Sequence, residues 1–107
     1  MSKVVKQVQL SGILDSTKAP QFRADITKIV QAGANVVLIE LKEVTFVDSS
    51  GLGALVSALK TVRSSGGKLC ICSINEQVRM LFELTSMDRV FDVFKSREDF
   101  EQQVVSS

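Results

Sequence analysis

The order of apolar patterns along the chain predicts an α/β fold: a small, mostly parallel (mixed) sheet of four to five strands with about four helices packed on it. Two observations carry this. Short β-branched runs alternate with longer stretches whose apolar residues recur at helical spacing, strand then helix along the whole chain. The run Val36-Val37-Leu38-Ile39 is apolar on both faces, as a strand covered by helices on either side requires. At 107 residues the chain is long enough for one core and one domain, and no linker, repeat or low-complexity segment divides it.

Taken in order, Val4 to Ile13 alternates loosely and predicts one strand, or a tight pair broken at Ser11-Gly12 that would add an antiparallel edge. Asp15, Ser16 and Thr17 then offer capping side chains, with Pro20 in the first turn, where its missing N–H does no harm. Phe22, Ile26, Ile29 and Val30 form one apolar stripe, and Gly33 ends that helix. Val36 to Leu41 is the next strand, followed by a loop from Lys42 to Ser50. Leu52, Leu55, Val56, Leu59 and Val62 mark a second helix, closed by Gly66-Gly67. Lys68 to Ser73 predicts a strand, and Asn75 the cap of a third helix carrying Val78, Leu81 and Phe82. Val90 to Phe94 is a short last strand, and Arg97 to Val105 a final helix with Phe100 and Val104. Ser106 and Ser107 read as a loose tail.

Composition narrows the function classes. Thirteen basic and twelve acidic residues leave a net charge of +1, with no basic run and no Trp or Tyr for base stacking. Nucleic acid is therefore not the expected partner. The chain has no histidine, which removes the commonest general base, most zinc sites and His-containing triads. No metal, cofactor or catalytic residue is expected. Cys70 and Cys72 fall on the same face of one strand and read as reduced core residues of an intracellular protein. Met1-Ser2-Lys3-Val4 opens no signal peptide, and no apolar run is long enough to enter a bilayer. The expected location is the cytoplasm, without membrane insertion.

In an open parallel sheet the functional loops lie beyond the carboxyl ends of the strands. Here these are Leu14 to Ala19, Lys42 to Ser50, and Ser73 to Glu76. The middle one runs Asp48-Ser49-Ser50-Gly51-Leu52-Gly53 straight into the second helix. Capping alone explains one polar residue there, and close packing on the sheet would explain the glycines. Three polar residues in a row, then two glycines costing about 1 kcal/mol each in helix propensity, ask for more. A partner surface approaching the bare backbone would account for them. A serine at a helix N-terminus also tolerates a phosphate, which would move the net charge from about +1 to about −1.

Val44 to Leu55, Val-Thr-Phe-Val-Asp-Ser-Ser-Gly-Leu-Gly-Ala-Leu, resembles the signature of STAS domains of the anti-sigma factor antagonist (anti-anti-sigma factor) class. Leu10-Ser11-Gly12-Ile13-Leu14-Asp15 is similar to the family's opening Gly-x-Leu-Asp, Gly66-Gly67-Lys68-Leu69 to its Gly-Gly-x-Leu, and Leu84-Thr85-Ser86-Met87-Asp88 to its Leu-Thr-Gly-Leu-Asp. Two positions depart from the pattern: Glu40, where many relatives carry Asp, and Ser86, where glycine is frequent. The resemblance implies a single STAS domain over 1–107 and a non-enzymatic switch set by phosphorylation. It implies Ser49 as the phosphoacceptor, with Ser50 second, flanked by Asp48. The kinase would be an anti-sigma factor of the histidine-kinase-like ATPase fold and the reversing enzyme a metal-dependent serine phosphatase. The unphosphorylated form would bind the anti-sigma factor across Ser16, Asp48 to Gly53 and Asn75.

Two other readings compete. STAS domains also serve as accessory subunits of phospholipid-transport complexes, although the intact Asp48-Ser49-Ser50-Gly51 favours the switch. Alternatively, Asp15, Glu40, Glu43 and Asp48 would gather at the strand ends as the carboxylates of a small enzyme. Capping and solvation account for them more simply.

Overall fold

The computed structural model of the chain describes residues 4–105. Met1 to Lys3, part of the segment tested for a leader, and Ser106 and Ser107, read as a tail, lie outside the described residues. The strands are β1 (Val5–Leu14), β2 (Val36–Val47), β3 (Lys68–Cys72) and β4 (Asp92–Phe94); the helices are α1 (Ala19–Gln31), α2 (Ser49–Ser64), α3 (Glu76–Leu84) and α4 (Arg97–Phe100). A short 3-10 turn, Met87–Arg89, precedes β4, and α4 runs on into a π-helical stretch, Glu101–Val105.

The four strands lie in the order β1-β2-β3-β4, and every pair is parallel. The α/β architecture with about four helices is as the sequence predicts, but the antiparallel edge is absent among the described strands. β1 passes through Ser11-Gly12 without turning. Gly12 sits at φ +71°, and register shifts on either side absorb it as a bulge, so the chain continues as one strand. Because the order advances steadily in one direction, right-handed crossovers put α1, α2 and α3 on the same face. That leaves the other face to the C-terminal segment.

Two cores follow from the alternation of side chains along the strands. On the three-helix face, Val37, Ile39 and Leu41 of β2 pack with Leu69 and Ile71 of β3, Phe22 and Ile26 of α1, Leu55 and Val62 of α2, and Val78 and Phe82 of α3. Phe82 stacks on Phe91 with ring centroids 5.3 Å apart. On the opposite face, Val36, Leu38, Cys70 and Cys72 meet Phe100 and Val104. Phe94 meets Phe100 edge to face at 5.8 Å. Each fully buried aliphatic or aromatic side chain here contributes about 1.5–3 kcal/mol of hydrophobic stabilisation. Both cysteines are buried free thiols, and burial pushes Cys70 up to about 11. This matches the core role read from their spacing.

Two local expectations are corrected. The Asp15-Ser16-Thr17 segment does not cap α1. Asp15 Oδ1 instead accepts from the N–H and hydroxyl of Thr17, closing a turn that ends one residue before the helix cap at Lys18. β2 does not stop at Leu41 but runs to Val47, so most of the predicted loop from Lys42 to Ser50 is strand.

Candidate functional site

At the carboxyl end of the sheet, β1 and β2 outrun their neighbours. β3 ends at Cys72, opposite Glu40, whereas β2 goes on pairing with β1 until Leu14 faces Val47. One side of this overhang is buried through Leu14, Leu41, Val44 and Val47. The other is bare: Ile13 and Phe46 are register partners, 49% and 45% exposed. Neither was proposed as a contact residue from the sequence: Ile13 read as part of a strand, and Phe46 fell in the stretch read as a loop, so nothing marked the two as facing each other across a sheet.

The edge of β2 that lost β3 is not left open. Asn75 caps α3, its Oδ1 accepting from Val78 N at 2.9 Å, and its Nδ2 donates to the carbonyls of Val44 and Thr45, both at 3.1 Å. Gln77 grips the last residue of the strand twice. Its Nε2 donates to Val47 O and its Oε1 accepts from Val47 N, each at 2.9 Å. The N-terminus of α3 thus supplies with side-chain amides the bonds a neighbouring strand would have made.

From this fixed end the chain turns into α2. Asp48 N donates to Leu14 O at 3.3 Å, and Asp48 Oδ1 accepts from Gly51 N at 2.8 Å, so Asp48 is the helix cap. Ser49 and Ser50 follow as the first two helical residues, both exposed. Their N–H groups precede any acceptor within the helix and lie at its positive end. The two glycines that look alike in sequence part company here. Gly51 is buried, and a Cβ on it would stand 2.2 Å from Leu14 O. Close packing of helix on strand is its reason. Leu52 points inward with it. Gly53 is exposed, and a Cβ there would meet nothing within 4 Å. Since α2 advances about 3.6 residues per turn, Gly53 lies one turn above Ser49 on the same side. The exposed part of the segment is therefore Ser49, Ser50 and Gly53.

Ser16 is exposed in the turn after β1, and Thr17 holds the neighbouring Asp15 carboxyl below its ordinary range. Asp15, Glu40, Glu43 and Asp48 do not converge. Asp15 and Asp48 each close their own turn, Glu43 is exposed, and Glu40 lies buried, accepting from Gln7 Nε2 at 2.6 Å. Among the described residues, no group of three or more Cys, Asp or Glu is placed to hold a metal ion. The strand order never reverses, so the crevice in which open α/β sheets take nucleotides has no counterpart among these strands. A cavity of about 650 Å³ lies at the β4 edge among Ile74, Phe82, Phe91 and Phe94 and includes no residue of the Asp48–Gly53 segment. Ser49 stands on an open surface, the setting of a macromolecular contact more than of a small ligand. No helix among the described residues is long and apolar enough to cross a membrane.

Comparison with known proteins shows the family and the fold. The STAS domain family model matches residues 2–100. The chain is 32% identical over 92 residues to the anti-sigma-B factor antagonist of Bacillus subtilis, covering 86% of this chain and 84% of that one. Its structure is similar to that of an anti-sigma factor antagonist from Mycobacterium paratuberculosis, with a TM-score of 0.82, 24% identity and coverage of 92% and 84%. It is also similar to the Bacillus cell fate determinant SpoIIAA in its phosphorylated form, with a TM-score of 0.71, 19% identity and coverage of 95% and 94%. Those last two likenesses carry the fold; the family model and the Bacillus subtilis relative carry the kinship. The chain belongs to the STAS domain family, among the anti-sigma factor antagonists.

Proposed function

We propose that the protein is a partner switch in which Ser49 is the phosphoacceptor. Unphosphorylated, it binds an anti-sigma factor of the histidine-kinase-like ATPase fold and holds it away from its sigma factor. Phosphorylated by that same ATPase, it lets go, and a metal-dependent serine phosphatase resets it. One observation carries this reading: Ser49 is exposed at the mouth of α2, fixed by the Asp48 cap, with the bare backbone of Gly53 one turn above it. A phosphate at this place meets the free N–H groups of the first turn, so it is compatible with the fold. The same phosphate adds about two negative charges to a flat docking surface, where an unpaired charge costs roughly 2–5 kcal/mol of binding. Ile13 and Phe46, exposed at the same carboxyl end of the sheet but on its other face, would add apolar contact area for a partner that reaches around that end. In this reading the chain contributes no catalytic residue; the chemistry belongs to the kinase and the phosphatase.

The test uses the unphosphorylated protein to capture its ATPase from its own cells, followed by incubation of the pair with Mg·ATP and mapping of the phosphate. Label on Ser49, absent from Ser49→Ala, is the expected result. The phosphorylated protein should then bind the ATPase roughly 30- to 5,000-fold more weakly. Label that persists in Ser49→Ala moves the acceptor to Ser50 or elsewhere. Equal affinity of both forms ends the switch.

A further inference from the structure

Ser49 leaves a strand end whose last residue, Val47, is held at both backbone polar groups by the side chain of Gln77, while Asn75 holds Val44 and Thr45 before it. We propose that Gln77 is the positioning residue of the acceptor serine: by binding both backbone polar groups of Val47, it fixes the point from which Asp48 and Ser49 depart. The inference rests on the reading of Ser49 as phosphoacceptor and deepens it.

The geometry is specific. β2 has no strand on its α3 side beyond Glu40, because β3 stops at Cys72. A backbone N–H and C=O left open there would be free to take other partners and other dihedral angles. Gln is suited to closing them, since its terminal amide offers one acceptor and two donors, as a neighbouring peptide group would. Both contacts are at 2.9 Å, and the amide is partly buried, which shields them from water. On the other edge, Asp48 N is tied to Leu14 O. Val47 and Asp48 are thus pinned from opposite sides, and the Ser49 hydroxyl extends from a rigid turn. Phosphoryl transfer depends mainly on placing the attacking oxygen in line with the leaving group, and a displacement of about 1 Å can slow such a reaction by about a hundredfold. Gln77 touches neither phosphate nor nucleotide; it acts through Val47.

Two variants test this: Gln77→Met, of similar length but without either hydrogen bond, and Gln77→Glu, whose carboxylate still accepts from Val47 N but faces Val47 O without a proton to donate. Phe100→Leu, in the core on the opposite face, serves as a control of comparable thermal destabilisation. The kinase is the ATPase captured by the wild-type protein. In Gln77→Met, kcat for phosphorylation of Ser49 should fall by about tenfold or more with KM little changed, and amide exchange at Val47 and Asp48 should quicken by about tenfold while β3 amides hold. Gln77→Glu should fall between Met and wild type, and Phe100→Leu should keep the wild-type rate. A wild-type kcat in both Gln77 variants, with Ser49 labelled as usual, overturns the positioning role alone. A loss equal to that of Phe100→Leu overturns it too, by reducing it to stability. Should wild type itself take no phosphate on Ser49, the switch reading fails and this inference falls with it.

Discussion

A methyl group added at Gly51 would collide with the Leu14 carbonyl at 2.2 Å, whereas one added at Gly53 would meet open space. Gly51→Ala must push α2 off β1 and is expected to cost about 1–3 kcal/mol of stability. Gly53→Ala sits at an exposed helical position and is expected to stabilise by about 0.5–1 kcal/mol. Urea unfolding of both variants checks the pair, and opposite signs are the expected outcome. Sequence alone cannot tell these glycines apart, because both fall in the first turns of one helix. Only the height at which α2 lands on β1 decides which faces a carbonyl. Asn75, by contrast, was legible as a cap, since a cap bonds within its own three residues. For the second helix the sequence left the cap open between Asp48 and Ser49, and the structure gives it to Asp48. Ser86, noted in the sequence only as a departure from the resembled pattern, holds the left-handed conformation, φ +61°, a state that glycine adopts without strain.

At the scale of elements, the alternation of strands and helices was readable throughout, but the end of β2 was not. Up to Leu41 the strand is covered on both faces and reads as a solid apolar run. Beyond it only one face is covered, so Lys42, Glu43 and Thr45 intervene and the pattern resembles a loop. The strand persists because β1 pairs it on one edge and α3 on the other. The final helix was placed correctly at its start, and its widening into a π-helical stretch after Phe100 had no sign in the apolar spacing. Asn75 serves α3 and β2 together. Asn75→Ala removes the cap and both bonds to β2, and should cost about 1–2 kcal/mol, the upper range for a cap. Asn75→Asp keeps the cap oxygen but loses the donor to Val44 and Thr45, so it should recover only part of that loss. Thermal melting of the two variants gives the comparison.

Over the whole molecule, the near-balance of charge leaves pH stability to a few groups whose surroundings the fold has changed. Burial raises Cys70 from an ordinary value of 9.0 to about 11, and it raises Cys72 as well. A thiol with a raised value favours the folded state while both states remain protonated. Its contribution is therefore complete below pH 9 and is lost as pH climbs towards 11. The Cys70 part is on the order of 3 kcal/mol. Urea unfolding of wild type and Cys70→Ala from pH 8 to about 11 should show the wild-type midpoint falling more steeply; parallel curves would contradict it. The parallel sheet has a further consequence, in the time order of synthesis. The chain is made from its N-terminus, and β1, α1, β2 and α2 are complete before α3 exists. Asn75 and Gln77 follow Ser49 by 26 and 28 residues, so they leave the ribosome after it, and until then the end of β2 lacks their bonds. Only when the α3 segment has emerged can Gln77 close on Val47, so under the proposed switch a kinase would meet the acceptor serine in its final place only on finished molecules.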